Sequence, residues 1–418
     1  MEIKMKYGLI GEHLGHSFSK VIHSMIADYE YELLELRPDE VAGFMKAKAF
    51  AAINVTIPYK EAVMPYLDFI SERARAIGSV NTVVNRDGKL YGYNTDFYGM
   101  TGLIESLGIE IKGKKVLICG TGGTSKTALA VCESLGAREI HKLSRRAERD
   151  RISYGEAYEK HTDADVIINT TPVGMYPNIG GSPIDISTFP RLSGTVDAVY
   201  NPLRTQLISD GLERGIPSGG GLYMLVAQAV AACEIFLDKK LDGDITDKVY
   251  KRILADKENI VLVGMPGCGK STIGKMIAET LNRPFYDLDT EIVKDEGREI
   301  PDIFAKDGEG SFRDIESRVL FEKLAPVSGS VIATGGGAIL REENVRALKL
   351  NGRLYFLNRP LCQLLPTPDR PTASSKETIE KRYAERLPIY KRVADTELLT
   401  DGIADHAVAD IIKLHFGE

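Results

Sequence analysis

Short apolar runs alternate with longer stretches of mixed polar and apolar residues along most of this chain. The runs are YGLIG at 7–11, KVLICG at 115–120, DVIINT at 165–170 and NIVLVG at 259–264. Such runs are typical of strands buried on both faces of a parallel sheet, and the stretches between them are compatible with helices. The alternation therefore predicts an α/β protein with parallel sheets.

Breaks in this pattern divide the chain into blocks. A chain of 418 residues exceeds the ~100–150 residues of a typical domain, so several domains are expected. We predict α/β blocks at 1–95, 96–220 and 259–418, an apolar helix at about 221–237 that returns to the first block, and a polar linker at 238–258.

Composition and charge narrow the range of functions. Hydrophobic residues make up 43% of the chain and charged residues 27%, which is typical of a globular protein. The net charge of −6 and the scattered Lys and Arg residues give no basis for nucleic-acid binding. No run approaches the ~18 apolar residues of a membrane span, and the opening residues lack a signal peptide's apolar core. We expect small-molecule chemistry in the cytoplasm, with no nucleic-acid or membrane partner, and a homo-oligomer stays open.

A first glycine-rich loop joins the run at 115–120 to a predicted helix. Glycines there let the backbone approach a pyrophosphate, which the helix N-terminus favours. The match to G-x-G-x-x-G is imperfect because Ser125 replaces the third glycine, so a plain α/β turn stays open. The predicted contacts are Gly120, Gly122, Gly123, Thr124 and Ser125.

The next predicted strand ends in Ser144, Arg145 and Arg146. An acid at this place binds the ribose 2′-hydroxyl of NAD, whereas arginine accepts the 2′-phosphate of NADP. The sequence therefore favours NADP held by Ser144 and Arg145, with a solvated surface run as the alternative. The block 96–220 is predicted to be a Rossmann-type NADP-binding domain.

Polar clusters interrupt the first block at HSFSK, NVTIPYKE and NTD. Reduction of a ketone requires a proton for the oxygen, and a lysine beside a carboxylate can supply it. We predict Lys60 and Asp96 as this catalytic pair; a surface lysine is the alternative for Lys60 alone.

These motifs, in this order, resemble the shikimate dehydrogenase family over about residues 5–237. The resemblance implies NADPH-dependent reduction of 3-dehydroshikimate in a substrate-binding domain at 1–95. It implies substrate contacts at Ser17, Ser19, Thr56, Asn81, Tyr200 and Gln228, and nicotinamide-side contacts at Thr170, Gly221 and Met224. The family usually has Asn-Arg-Thr where this chain has Ser144, Arg145 and Arg146, so the 2′-phosphate contact rests on Arg145.

A second glycine-rich loop completes the pattern G-x-x-x-x-G-K-[ST] from Gly264 to Ser271. Backbone N–H groups of such a loop cradle phosphates, its lysine reaches the terminal phosphates and its serine ligates Mg²⁺. The chain that follows is too short for a motor, which favours a small-molecule kinase with a parallel sheet. The predicted ATP contacts are Gly267, Cys268, Gly269, the catalytic Lys270, Ser271 and Thr272.

An acidic triplet at 287–289 is predicted to end a strand. Alternation of side chains would then place Asp287 and Asp289 on one face. One carboxylate would serve Mg²⁺ together with Ser271, and the other would bind a substrate hydroxyl. Two acids that merely cap the strand are the alternative.

The third block resembles the shikimate kinase family over about residues 259–415. The resemblance implies Asp287 as the Mg²⁺-associated acid and Asp289 as the acid for shikimate hydroxyls. Arg313 and Arg386 match carboxylate-binding arginines, as expected of guanidinium groups, and Gly335, Gly336 and Gly337 match the loop under the substrate. Arg370 is the expected ATP contact in a lid that is short for the family.

Both halves thus point to shikimate, with NADP(H), ATP and Mg²⁺ as cofactors. The predicted function is reduction of 3-dehydroshikimate followed by phosphorylation of shikimate to shikimate 3-phosphate. Two alternatives stay open: a quinate-type dehydrogenase joined to another metabolite kinase, and one half acting as a non-catalytic regulatory module.

Overall fold

The computed structural model describes residues 6–15, 18–148, 150–364, 375–400 and 403–417. These residues form two compact units. The first contains the described residues up to Asn201 and Thr205–Ile253; the second contains Pro202–Arg204 and the described residues from Leu254 onward. The division of the first unit at residue 95 and the linker at 238–258 stay predictions. Among the described residues, no helix is both long and apolar enough to cross a membrane.

The first sheet of the first unit is mixed. Its strands are β1 (Tyr7–Gly11), β2 (Glu32–Glu35), β3 (Ala52–Val55), β4 (Phe69–Ile70), β5 (Thr82–Arg86) and β6 (Lys89–Tyr93), in the order β2-β1-β3-β5-β6-β4. Its helices are α1 (Ser19–Ile26), α2 (Pro38–Ala47), α3 (Glu72–Ile77) and α4 (Asp96–Ser106).

The expectation of a parallel sheet is wrong for β5, which pairs antiparallel with both β3 and β6. For the β5–β6 pair the cause is the short turn between the two strands, where Asp87 has φ 52° and Gly88 has φ 78°. A turn of two residues with positive φ closes a hairpin, and hairpin strands are antiparallel.

The second sheet of the first unit is parallel throughout its described pairs. Its strands are β7 (Lys115–Cys119), β8 (Glu139–Ser144), β9 (Ile152–Ser153), β10 (Val166–Asn169), β11 (Gly194–Asp197) and β12 (Ser218–Gly219), in the order β12-β11-β10-β7-β8-β9. The helices are α5 (Gly123–Ser134), α6 (Tyr154–Lys160), α7 (Gln206–Glu213) and α8 (Leu222–Leu237), and α9 (Ile245–Lys257) begins in the first unit and ends in the second. Strand order reverses between β7 and β10, which is where parallel sheets bind ligands.

Helix α8 connects the cores of both sheets. Its Met224 packs into the core beside β7 and β10, and its Phe236 packs with Leu9 of β1. Gly99 of α4 allows the close approach of α8, because a Cβ there would lie 2.5 Å from the carbonyl oxygen of Met224. The apolar helix expected at about 221–237 is therefore present and buried.

The second unit has a parallel sheet in the order β14-β15-β13-β16-β17. Its strands are β13 (Asn259–Val263), β14 (Phe285–Asp287), β15 (Val331–Ala333), β16 (Gly352–Asn358) and β17 (Thr396–Leu399). Its helices are α10 (Lys270–Leu281), α11 (Leu288–Glu296), α12 (Ile300–Val319), α13 (Glu342–Lys349), α14 (Lys376–Val393) and α15 (Ala404–Phe416). The prediction that one strand carries both Asp287 and Asp289 is wrong, because β14 ends at Asp287 and Asp289 lies in the first turn of α11.

Asp197, at the end of β11, is a buried carboxyl that ties the second sheet to the following loop. It accepts hydrogen bonds from Asn169 Nδ2 (3.0 Å), Val199 N (2.9 Å) and Thr205 Oγ1 (2.7 Å). Burial nevertheless raises its pKa from 3.8 to about 6. Folding therefore favours the protonated form of Asp197.

Because the pKa of Asp197 is raised in the folded state, its protonation stabilises the fold. This contribution to the free energy of unfolding is fully present below pH 3.8 and is lost as the pH rises through about 6. We predict that the free energy of unfolding of wild type falls by up to about 3 kcal/mol across this window relative to that of an Asp197→Asn variant, since one pKa unit corresponds to ~1.4 kcal/mol. Urea unfolding followed by far-UV circular dichroism at several pH values measures the difference.

Asp185→Asn is the control. The hydrogen bond from Ser187 lowers the pKa of Asp185 below 3.8. A lowered pKa in the folded state adds stability above the unfolded pKa, so this carboxyl causes no loss of stability as the pH rises through the window. Curves for wild type and Asp197→Asn that stay parallel from pH 3.8 to about 6 would contradict the assignment.

Candidate active sites

The strand directions bring distant sequence segments to one edge of the first sheet. β3 and β6 both run antiparallel to β5, so their carboxyl ends lie beside the amino end of β5. Thr56 and Lys60 follow β3, Asn81 precedes β5 and Asp96 follows β6. The predicted catalytic and substrate residues of the first block therefore share this edge.

Lys60 and Asp96 form the ion pair that the sequence predicts. Lys60 Nζ donates to Asp96 Oδ2 at 2.6 Å, and the side chains are 26% and 17% exposed. Asp96 is the first residue of α4, where the helix dipole favours a carboxylate. The pair is thus held in place while Lys60 keeps access to a ligand.

A hydrogen-bond network links Asn81 to Gln228. Asn81 Oδ1 accepts from Thr95 N at 2.7 Å, and Thr95 Oγ1 donates to Gln228 Oε1 at 3.3 Å. Gln228 comes from α8, so this network joins the edge of the first sheet to the returning helix. Thr95 itself was not predicted, although it stands between Asn94 and Asp96 in the polar cluster NTD.

The other predicted substrate residues surround this edge. Ser19 begins α1, after the carboxyl end of β1, and is buried. The ring of Tyr200, from the loop after β11, lies 5.7 Å from the ring of Phe18. Thr56 is half-buried and its N–H donates to Ile10 O at 2.9 Å. Ser17 lies outside the described residues.

The first glycine-rich loop lies at the point where strand order reverses. Gly120 has φ 110°, and a Cβ there would lie 2.7 Å from Thr170 Oγ1. Thr170 in turn donates to Cys119 O at 2.7 Å, which joins the ends of β7 and β10. Gly122 and Gly123, at the start of α5, face open space, since a Cβ at either would meet no atom within 4 Å. The loop fits a dinucleotide phosphate at the N-terminus of α5.

The remaining NADP residues differ in character. Thr124 is half-buried in the first turn of α5, and Ser125 is buried there. Ser144 ends β8 and caps a turn by accepting from Arg146 N at 3.2 Å, which leaves Arg145 exposed.

Gly221 and Met224 are held by packing. A Cβ on Gly221 would overlap the carbonyl of Ala198, and Met224 is buried against Gly99. Their packing explains the residue types without a ligand, so the cofactor role of both stays a prediction.

The second glycine-rich loop has the geometry of a phosphate cradle. Gly267 has φ 79° and Gly269 has φ 100°, a backbone that other residues adopt with strain. Lys270 Nζ donates to Gly264 O at 2.9 Å and to Met265 O at 3.0 Å, and this buried ammonium lies within the loop. Cys268 is buried in the loop, and Thr272 is exposed in the first turn of α10.

Ser271 and Asp287, which the sequence predicts as magnesium ligands, are in contact. Ser271 Oγ donates to Asp287 Oδ2 at 2.6 Å, and Asp287 Oδ1 accepts from Asp289 N at 3.1 Å. One hydroxyl and one carboxylate suit Mg²⁺, which keeps several waters and takes few protein ligands. The residues therefore fit Mg²⁺, and Asp287 is at the same time a helix cap, so the two interpretations left open by the sequence are compatible.

A cavity of about 490 Å³ lies beside this loop in the second unit. Its walls carry both acids and a guanidinium group. The lining residues used below are Asp289, Arg313, Glu316, Gly335, Gly336 and Gly337.

Arg313 and Glu316 form a buried ion pair in the cavity wall. Arg313 Nη1 donates to Glu316 Oε2 at 2.6 Å, and their side chains are 10% and 1% exposed. Burial raises the pKa of Glu316, which Arg313 opposes. Glu316 Oε1 is buried without a hydrogen-bond partner among the described residues, so a hydroxyl of a ligand can donate to it.

Arg386 and Tyr390 support the glycine loop from α14. Arg386 Nη1 donates to Gly336 O at 3.0 Å and Tyr390 OH donates to the same oxygen at 2.6 Å. Burial lowers the pKa of the Arg386 guanidinium. Tyr390 was not predicted; its spacing of four residues from Arg386 on one helix face is the signal that could have indicated it. Arg370 lies outside the described residues.

Comparison with known proteins covers both units. Residues 9–83 match the shikimate dehydrogenase substrate binding domain, and residues 266–415 match shikimate kinase. A shikimate dehydrogenase (NADP(+)) of Clostridium perfringens is 37% identical over 265 residues, covering 59% of this chain and 97% of the relative.

Solved structures give the same result for the first unit. A chorismate mutase/shikimate 5-dehydrogenase fusion protein from Clostridium acetobutylicum is 36% identical with a TM-score of 0.56, covering 60% of this chain and 98% of that one. Shikimate 5-dehydrogenase from Thermus thermophilus, in complex with NADP(H) and shikimate, is 28% identical with a TM-score of 0.53, covering 59% of this chain and 99% of that one.

The folds, the sites and these similarities define an NADP-dependent oxidoreductase joined to a P-loop kinase. The chain belongs to the shikimate dehydrogenase family and carries a shikimate kinase domain at 266–415.

Gly337 limits what the cavity wall tolerates. A Cβ there would overlap the guanidinium group of Arg313, which its hydrogen bonds to Glu316 and Glu309 hold in place. We predict that Gly337→Ala lowers the free energy of unfolding by about 1–3 kcal/mol, the usual cost of overpacking. Thermal unfolding followed by circular dichroism measures the change.

Gly310→Ala in α12 is the matched control. A Cβ at Gly310 meets no atom within 4 Å, so alanine should leave the stability unchanged or raise it by up to ~1 kcal/mol through helix propensity. Equal effects of the two substitutions would refute the packing argument.

Proposed function

We propose that this chain catalyses two consecutive reactions, reduction of 3-dehydroshikimate to shikimate and phosphorylation of shikimate to shikimate 3-phosphate. The observation that carries the first reaction is the Lys60–Asp96 pair. The observation that carries the second is the P-loop beside a cavity whose wall contains the buried Arg313–Glu316 pair. Each site suits a polyhydroxylated carboxylate. The hydroxyl formed in the first reaction is the acceptor in the second.

In the first reaction, Lys60 is the general acid for the oxygen of the substrate ketone. NADPH, when bound, supplies the hydride. Lys60 Nζ, held by Asp96 at 2.6 Å, donates the proton that turns the ketone oxygen into a hydroxyl. Asp96 positions the ammonium group and compensates its charge before the substrate binds.

Polar residues around this pair orient the substrate. Asn81 and Gln228, joined through Thr95, and Thr56 offer hydrogen bonds to its hydroxyls. Ser19 is assigned to its carboxylate, and the sequence resemblance adds Ser17, which lies outside the described residues. The phosphates of the cofactor are bound by Thr124, Ser144 and Arg145.

In the second reaction, the buried charges of the second unit bind and orient shikimate. Arg313 and Arg386 attract its carboxylate, while Asp289 and Glu316 Oε1 accept hydrogen bonds from its hydroxyls. Lys270 exchanges its contacts with Gly264 O and Met265 O for the phosphates of ATP. Ser271 and Asp287 would hold Mg²⁺, which neutralises phosphate charge.

The substrates are small molecules. A cytoplasmic location remains part of this proposal and rests on the sequence alone, while a homo-oligomer stays open.

Both activities are tested together by incubating the full chain with 3-dehydroshikimate, NADPH, ATP and Mg²⁺. Mass spectrometry should find shikimate 3-phosphate, and omission of ATP should stop the conversion at shikimate. Quinate with NADP⁺ is the comparison substrate, and a higher kcat/KM for quinate than for shikimate would contradict the assigned substrate. Absence of turnover would contradict the proposal as a whole.

The two sites should be separable by mutation. Lys60→Ala should lower the dehydrogenase turnover about 10²–10⁴-fold, the usual contribution of a general acid, and leave the kinase turnover unchanged. Lys270→Ala should lower the kinase turnover by ~10²–10³-fold, as expected for loss of one transition-state donor, and leave the dehydrogenase turnover unchanged. Separate assays with NADP⁺ and shikimate, and with ATP and shikimate, measure the two rates.

Lys46→Ala in α2 and Lys275→Ala in α10 are the controls, since both lysines are exposed. Full turnover by Lys60→Ala, or by Lys270→Ala, would show that the corresponding site is placed wrongly.

A further inference from the structure

A cluster of two histidines and a glutamate lies at the amino end of the second sheet. Glu139 and His141 stand two residues apart on β8 and so project from the same face. His161 follows α6 at the start of the loop that leads to β10. Ser144 and the glycine-rich loop lie at the opposite, carboxyl end of these strands, so the cluster is outside the site proposed above.

The donor atoms of the cluster converge. One donor atom from each of Glu139, His141 and His161 lies within 4.8 Å of the donor atoms of the other two. Glu139 Oε1 is 2.5 Å from His141 Nε2 and 3.9 Å from His161 Nδ1. Ligand atoms bound tetrahedrally to Zn²⁺ at ~2.1 Å are about 3.4 Å apart, so small side-chain rotations bring these three atoms to one ion.

His161 supports the assignment independently. Its Nδ1 is buried and has no hydrogen-bond partner within the described part of the chain. The His161 side chain is 13% exposed, and its ring centroid lies 4.1 Å from that of His141. A buried nitrogen without a partner is costly, and a metal ion would use its lone pair.

The charge around the cluster favours a cation. Lys115 Nζ is the nearest positive charge, 3.4 Å from Glu139 Oε1, but it lies closer to Asp163 Oδ1, at 2.8 Å. Two carboxylates and one ammonium leave one net negative charge while both imidazoles are neutral. Lys115 can therefore remain paired with Asp163 when Glu139 binds an ion.

We propose that Glu139, His141 and His161 form a binding site for a divalent transition-metal ion, with Zn²⁺ the best fit. Two imidazoles and a carboxylate are a donor set that binds zinc, with a further position left for water. Hard cations such as Mg²⁺ prefer oxygen ligands and would compete poorly. Bound metal would join β8 to the end of α6.

The test is metal retention by the full chain. Protein dialysed against Zn²⁺ in excess Mg²⁺ and then against Zn²⁺-free buffer should keep about one Zn²⁺ per chain by elemental analysis. His141→Ala or His161→Ala should weaken the affinity at least ~10-fold, because loss of an outer partner of a ligand alone costs about 10–100-fold. Isothermal titration with Zn²⁺ gives these affinities.

His406→Ala is the control, since this histidine is exposed on α15 of the second unit, and it should retain zinc like wild type. Unchanged far-UV circular dichroism and dehydrogenase turnover would show that the His141 and His161 variants are folded. The proposal fails if wild type retains no zinc, or if all variants retain it equally, which would place the ion elsewhere.

Discussion

The central strands of all three sheets are buried, so polar chemistry in the sheet centres is restricted to the ends of the strands. An uncompensated charge on the face of such a strand would lose its hydration without gaining a partner. β7, β10 and β13, for example, are buried along their whole lengths. Loops at the strand ends expose backbone N–H groups and side chains while the sheet fixes their positions. This constraint explains where the polar groups lie: the Lys60–Asp96 pair, both glycine-rich loops and the glycine loop at 335–337 are all at strand ends.

The cationic side chains of both proposed sites already have protein partners. Lys60 is bound by Asp96, Lys270 by two carbonyl oxygens of its own loop, and Arg313 by Glu316. Ligand binding then exchanges one set of polar partners for another, and little desolvation remains to be overcome. The groups are also pre-oriented, which lowers the entropic cost of binding.

Much of this arrangement could be predicted from the sequence, because glycine-rich loops between strand and helix impose their own geometry. The P-loop from Gly264 to Ser271 and the loop at Gly120 are examples. The pairing of Lys60 with Asp96 followed from chemistry, since a proton donor needs a compensating charge. The mixed first sheet was missed although Asp87 and Gly88 are a hairpin signal, and Asp289 was placed on a strand because the periodicity of three residues cannot distinguish a strand end from a helix start. Thr95 acts through tertiary hydrogen bonds, which no local pattern encodes. Tyr390 also acts through a tertiary hydrogen bond, and only its helical spacing from Arg386 is visible in the sequence.

The continuity of the backbone through both units has a consequence for metabolic control. Each molecule contains one of each unit, so gene expression cannot alter their ratio. The steady concentration of the shared intermediate is then set by the relative turnover of the two sites and by cofactor supply. Selection acting on this balance must change individual rate constants, and a substitution that slows the second unit would cause the intermediate to accumulate even though protein levels are unchanged.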